Sequence, residues 1–274
     1  MLQKKWVRWA LAVLITLTAV VYQRMSGPTY PLRGTVEVDG QSVSYKLVRS
    51  HGGEGDAIVT LDFNNTAYQA YLIYKRYKVN EEWQKIEMKS NGESLTAGLP
   101  HQAPAGKLEY YILLQKDNEK IAIPAHKSVV IRFKGAVPAT VLIPHILFMF
   151  IAMFMSSVAG FEALAGGEKI YRYTLIAAVT LIVGGMILGP IVQKFAFGEY
   201  WTGIPWGWDL TDNKTLFALI GWLLAVIKTR ENAIKGRWWV VAAAVILILV
   251  YSIPHSAMGS ELNYETMKVT TGNV

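Results

Sequence analysis

Apolar residues along this chain follow two periodicities, and the switch between them divides it. A first apolar run extends from Trp9 to Tyr22, just after Lys4, Lys5 and Arg8. Between residues 30 and 135 the runs become short and several alternate apolar with polar: GTVEVDG, VSYKLVRS, AIVTLDF, AYLIYKRYKV, KIEMKS, KLEYYILLQ and VVIRFKG. Turn formers such as Asp39-Gly40, Asn91-Gly92 and Asp117-Asn118 separate several of them, which is how β-strands and their hairpins read. From Ala136 long apolar runs return, at Val141–Leu164, Tyr171–Val192, Thr215–Ile227 and Trp238–Pro254. The third falls short of the ~20 residues a helical crossing needs. It is expected to take in Leu210 and its neighbours.

This pattern predicts a membrane α-helical bundle of four core transmembrane helices plus an N-terminal anchor helix, with an inserted periplasmic all-β sandwich. About seven short strands in about 100 residues suit a small immunoglobulin-like sandwich. The predicted divisions are an anchor over residues 1–27, the sandwich over 28–136, the bundle over 137–264 and a periplasmic tail over 265–274. A cleaved signal peptide is the rival reading of the first run, but Tyr22, Gln23 and Arg24 follow it where small residues would mark a cleavage site. Orientation follows from the basic residues. Lys169 and Arg172 sit after the first core run, and Lys228, Arg230, Lys235 and Arg237 lie between the third and fourth. Those connections, with the amino end, are expected in the cytoplasm of a bacterial inner membrane. The β-domain, the connection over residues 193–214 and the carboxyl end are then periplasmic. Gly185 and Gly189 offer small surfaces for close helix packing.

Composition narrows the chemistry. Hydrophobic residues make up 52% of the 274, and the net charge is +7. The basic residues flank apolar runs, so they read as topology signals and not as a nucleic-acid footprint. Cysteine is absent, which removes disulfides, thiolate metal sites and dithiol redox chemistry. No GxSxG, HExxH or phosphate-cradling glycine loop occurs. His51, His101 and His126 are scattered through the β-domain without metal-ligand spacing, and read as solvated side chains on a binding or spacer module.

The remaining two histidines occupy matched settings, Ile143-Pro144-His145 and Ile253-Pro254-His255. The first begins one membrane run and the second ends another, so the expected topology puts both at the periplasmic face. The connection holding Trp201, Trp206, Trp208 and Asp209 comes to the same level. Two neutral imidazoles from different helices suit axial ligation of a haem iron. Indoles with nearby glycines suit a flat apolar ligand. An interfacial aromatic belt explains the tryptophans without a ligand, and Asp209 reads equally as a helix cap.

At these residues the chain resembles the haem-handling proteins of cytochrome c assembly, which carry an external tryptophan-rich segment flanked by histidines. Phe197-Gly198-Glu199-Tyr200-Trp201 and Trp206-Gly207-Trp208-Asp209 correspond to that segment, with Thr202 to Pro205 as an insertion. The resemblance covers about residues 140–265. Leu210 stands where the family often has proline, and the β-domain has no counterpart in it. It implies haem b as cofactor, His145 and His255 as its iron ligands, and Trp201, Trp206, Trp208 and Asp209 as its platform. The implied role is holding haem for attachment to an exported protein. The residues leave two further functions open. One is a b-type electron-transfer subunit linking quinol to a periplasmic cytochrome or other redox or assembly partner docked on the β-domain. The other is a cofactor-free membrane scaffold, anchored in lipid, whose sandwich recruits a partner.

Overall fold

The computed structural model describes residues 2–254 and 259–270. The chain forms two compact units. One contains residues up to Pro28 together with Val137–Ser260, the other Thr29–Ala136 together with Glu261–Thr270.

The first unit is helical, and five of its helices are long and apolar enough to cross a membrane. They are α1 (Lys5–Ser26), α2 (Ala139–Leu164), a continuous helix over Ile170–Phe197, α5 (Leu210–Glu231) and α6 (Ala233–Ser252). The continuous helix comprises α3 (Ile170–Leu181), a π-helical segment (Ile182–Leu188) and α4 (Gly189–Phe197). Helix α2 packs against α1, α3 and α6, and α5 packs against α3 and α6. Small residues set the spacing. A Cβ on Gly160 of α2 would lie 2.9 Å from the Ala244 Cβ of α6. Only Asn232 separates α5 from α6. The sharp reversal works because Gly236 lies against the Lys228 carbonyl, where any Cβ would come within 2.6 Å.

Helix α5 begins at Leu210 and so gains the length that Thr215–Ile227 lacked. Its first turn, Thr211 to Lys214, is polar in sequence, yet Asp212, Asn213 and Lys214 are buried. Arg8 is the second departure from a simple hydropathy reading. It is not a solvated topology signal: its guanidinium lies 3.0 Å from the Glu162 carboxylate of α2, with both side chains 6% exposed. The other Glu162 oxygen accepts the Lys169 backbone N–H at 3.1 Å, at the start of α3. One buried ion pair thus fastens α1, α2 and α3 at the same end.

The second unit is built from β-sheets around one core. Its central strand, β9 (Lys107–Lys116), buries Leu108, Tyr110, Ile112 and Leu114 on one face by strict alternation. Strand β5 (Gln69–Arg76) pairs along one edge. Strand β11 (Val129–Lys134) takes the first part of the other edge and β10 (Glu119–Ile123) the second. β3 (Ser50–Gly52) and β6 (Gln84–Glu87) complete the six-stranded sheet. A three-stranded sheet, β4 (Ala57–Leu61), β8 (Leu95–Leu99) and β7 (Lys89–Ser90), feeds Val59, Leu61, Leu95 and Leu99 into the same core. The hairpin of β1 (Leu32–Val38) and β2 (Gln41–Leu47) turns at Asp39-Gly40, where both residues have positive φ (48° and 74°), as a two-residue turn requires.

Residues 261–270 do not form a plain tail. They make a hairpin, β12 (Glu261–Asn263) and β13 (Lys268–Thr270), that belongs to the β unit. The Leu262 N–H donates to the Ala105 carbonyl at 3.1 Å, and the Tyr264 hydroxyl bonds both the N–H and the C=O of Lys107 at 2.9 Å. Glu261 pairs with the Lys107 and Lys78 ammonium groups. Partial burial opposes ionisation of Glu261, but these two cations outweigh it and hold its carboxyl below the usual range.

Two outcomes are expected. Arg8→Ala leaves the Glu162 charge buried and unpaired, and should cost about 3–5 kcal/mol in detergent unfolding. An Arg8→Met/Glu162→Leu chain should recover most of that loss. For Glu261, a depressed pKa stabilises the folded state above the unfolded value of 4.5, and that contribution disappears as pH falls through the folded value. Hydrogen-exchange protection at the Leu262 amide should therefore drop under acid, and Glu261→Gln should flatten the dependence.

Candidate functional site

Histidine 145 lies in the second turn of α2, with Pro144 inside the helix and not at its start. The helix begins five residues earlier, at Ala139. The imidazole reaches across to the π-helical segment, where Nδ1 donates to the Gly184 carbonyl at 2.9 Å. A carbonyl oxygen only accepts. The proton therefore sits on Nδ1, and when the ring is neutral its lone pair is on Nε2. The same Gly184 oxygen also accepts the Gly189 N–H through the widened π-type bond. This arrangement depends on glycine. A Cβ on Gly184 would meet the Met149 Sδ at 2.9 Å and the Met149 nitrogen at 3.1 Å. Gly185 faces the other way, towards Thr215 of α5, with 2.8 Å to its methyl carbon. The sequence pointed to Gly185 and Gly189 for close packing, but Gly184 is the residue that brings the π segment against α2.

One helical turn beyond Gly189, the Gln193 amide donates to the Thr202 hydroxyl at 2.7 Å and to Asp212 at 3.1 Å. Those bonds tie α4 to the tryptophan-bearing loop and to the start of α5. The loop is held from below by three side chains of α5 and its cap. Asp212 accepts the Thr202 N–H at 2.6 Å, and Asn213 accepts the Ile204 N–H at 2.7 Å. Asp209 caps α5 by accepting the Thr211 N–H at 2.8 Å, and its second oxygen accepts the Ser260 N–H and hydroxyl, both at 3.2 Å. Both Asp209 oxygens are thereby engaged in holding backbone, and Asp209 is the cap of α5.

The tryptophans divide into two kinds. Trp201 is half-buried, and its indole N–H is turned onto the Ile204 carbonyl at 3.1 Å, making it a strut of the loop. Trp206 and Trp208 are 80% and 72% exposed, and their ring surfaces face outward.

His255 lies outside the described residues. The residues on either side of its segment are both tied to α5. The buried Lys214 ammonium donates to the Ile253 carbonyl at 2.6 Å, and Ser260 is held by Asp209. Beneath Lys214 a cavity of about 20 Å³, lined also by Thr215, Met149 and Tyr251, has room for one water. Among the described residues no three His, Cys, Asp or Glu side chains come together as a metal set.

Sequence reasoning missed Gln193 and Gly184. It saw the polar run Thr211 to Lys214 at the head of an apolar helix but read it as a solvated helix start, whereas Asp212, Asn213 and Lys214 are buried. No protein-family model matches the chain, and a search of curated proteins finds none similar to it.

Gly184→Ala should force the π segment away from α2, at about 1–3 kcal/mol, and change the ring ¹⁵N shifts of His145. Gly189→Ala, whose Cβ would meet nothing closer than 3.4 Å, should leave both unfolding temperature and ring signals near those of the unaltered chain.

Proposed function

We propose that the chain is a haem-handling membrane protein of the cytochrome c assembly type, holding haem b at the periplasmic face. The observation that carries this reading is the orientation of His145. Imidazoles that bind metal almost always donate their other ring N–H to a carbonyl or carboxylate, and His145 does so to Gly184 while presenting Nε2 as a neutral donor. Haem, when bound, would supply a redox-active iron in a flat apolar ring. His145 and His255 would hold the iron, and Trp206 and Trp208 would offer apolar faces to the ring. Trp201 and Asp209 hold the loop that presents those indoles. Lys214 and Asp209 hold Ile253 and Ser260.

The rest of the fold supports this assignment. Arg237 comes within 3.4 Å of the position a Cβ would take on Gly166, at the helix ends opposite His145. Lys169, Arg172, Lys228, Arg230 and Lys235 lie in the same connections, so the positive-inside rule sets those ends in the cytoplasm. The tryptophan loop is then external, with the β unit as an external sandwich and α1 as an anchor beside the other helices.

Purified full-length protein in detergent should yield a b-type pyridine haemochrome spectrum with one haem per chain. His145→Ala should lower the haem content at least about ten-fold, and Trp206→Ala/Trp208→Ala should lower it less. A colourless unaltered protein, or undiminished haem in the His145→Ala/His255→Ala chain, would overturn the assignment.

A further inference from the structure

The β unit brings together two histidines that the sequence separates by fifty positions. His51 lies on β3 and His101 just beyond β8. His51 Nε2 and His101 Nδ1 each stand 3.1 Å from one and the same oxygen, the carbonyl of Gly55. Both rings also meet Phe133 edge-on, with centroids at 5.6 and 5.9 Å, and Phe133 is fully buried in the core. A single rigid aromatic ring therefore sets the position of both imidazoles.

The loop that carries the carbonyl is fixed as well. The Gly53 N–H donates to the Lys134 carbonyl at 3.1 Å, and the Asp56 carboxylate accepts the His101 backbone N–H at 2.9 Å. Gly53 and Gly55 both have left-handed backbone angles (φ 93° and 89°), which a side chain would strain. The loop can turn its carbonyl toward the two rings because glycine occupies those positions.

We propose that His51, His101 and the Gly55 carbonyl form a binding site for a divalent transition-metal ion of the Cu²⁺ or Zn²⁺ class. Imidazole nitrogen is a preferred donor for both ions. Metal–ligand bonds of about 2.0–2.1 Å at tetrahedral angles put neighbouring donor atoms roughly 3.3 Å apart. The two N···O separations of 3.1 Å are within a few tenths of that spacing. Opening the three donor atoms slightly admits the ion between them, and water completes its shell. Each binding nitrogen passes its proton to the other nitrogen of its ring, so both imidazoles stay neutral and no net proton is released. Glu54 and Asp56, exposed on either side of Gly55, add negative charge that favours a cation. The site is independent of haem and lies entirely within the β unit.

The test is a titration of the full-length protein in detergent with Cu²⁺, followed by calorimetry and by electron paramagnetic resonance. One ion per chain is expected at this site, with hyperfine structure from two nitrogens. His51→Gln and His101→Gln each keep a donor for the Gly55 carbonyl but remove the imidazole, and each should weaken binding at least about ten-fold. His126→Ala should change nothing, and the ion should remain in a His145→Ala chain. Zn²⁺ should compete for the same site. Unchanged stoichiometry and affinity in a His51→Gln/His101→Gln chain with an unaltered circular dichroism spectrum would overturn the proposal, as would loss of the two-nitrogen signal on His145→Ala.

Discussion

Polar groups placed within an apolar helical bundle must find their partners inside it, because hydrocarbon offers none. That constraint organises the helical unit of this protein. Its buried charges and amides are gathered into two clusters, one near each end of the helices. At one end Glu162 pairs with the Arg8 guanidinium and accepts the Lys169 backbone N–H, while the buried Arg8 Nε has no hydrogen-bond partner among the described residues. At the other, Asp209, Asp212, Asn213, Lys214 and Gln193 satisfy one loop, one helix start and the carbonyl of Ile253 just past α6. The His145 imidazole obeys the same rule through Gly184, and the apolar length between the clusters is filled mainly by alanine with leucine, valine, methionine and Trp222.

Meeting the constraint with a carbonyl has a chemical side effect. Had His145 faced a hydroxyl, either tautomer would have served. A carbonyl permits one, which puts the electron pair of the neutral ring on Nε2. The π-type widening of the helix over Ile182–Leu188 is what turns the Gly184 oxygen to a place where α2 can reach it. A local irregularity of the kind often found at functional sites thus does the orienting.

Periodicity alone located the five long helices and the strongest strands of the β unit, although the apolar runs Trp9–Tyr22 and Thr215–Ile227 fell well short of α1 and α5. Strands β3 and β10 escaped it because they are short or partly polar, and β8 because Thr96, Ala97 and Gly98 break the expected strand composition. Residues 261–264 were read as the end of the bundle and those from 265 as a tail, because two three-residue strands carry no periodic signal. The hairpin is held by Tyr264, Glu261 and one backbone bond at Leu262, which only tertiary structure reveals. At the site the pattern of histidines and tryptophans was visible, but the division of labour within it was not. Whether an indole faces outward, as Trp206 does, or is spent on the Ile204 carbonyl, as Trp201 is, depends on the course of the loop. The pairing of His51 with His101 was hidden for the same reason, since it arises from strands β3 and β8 and from no spacing along the chain.

The β12–β13 hairpin also imposes an order on biosynthesis. Strands β1 to β11 leave the ribosome before α2, α5 and α6 exist, yet the residues that engage Ala105 and Lys107 follow α6 in the chain. The β unit is therefore finished only by a segment made after the last long helix. A nascent chain stalled before that point displays an unfilled docking surface at Ala105 and Lys107 of the β unit.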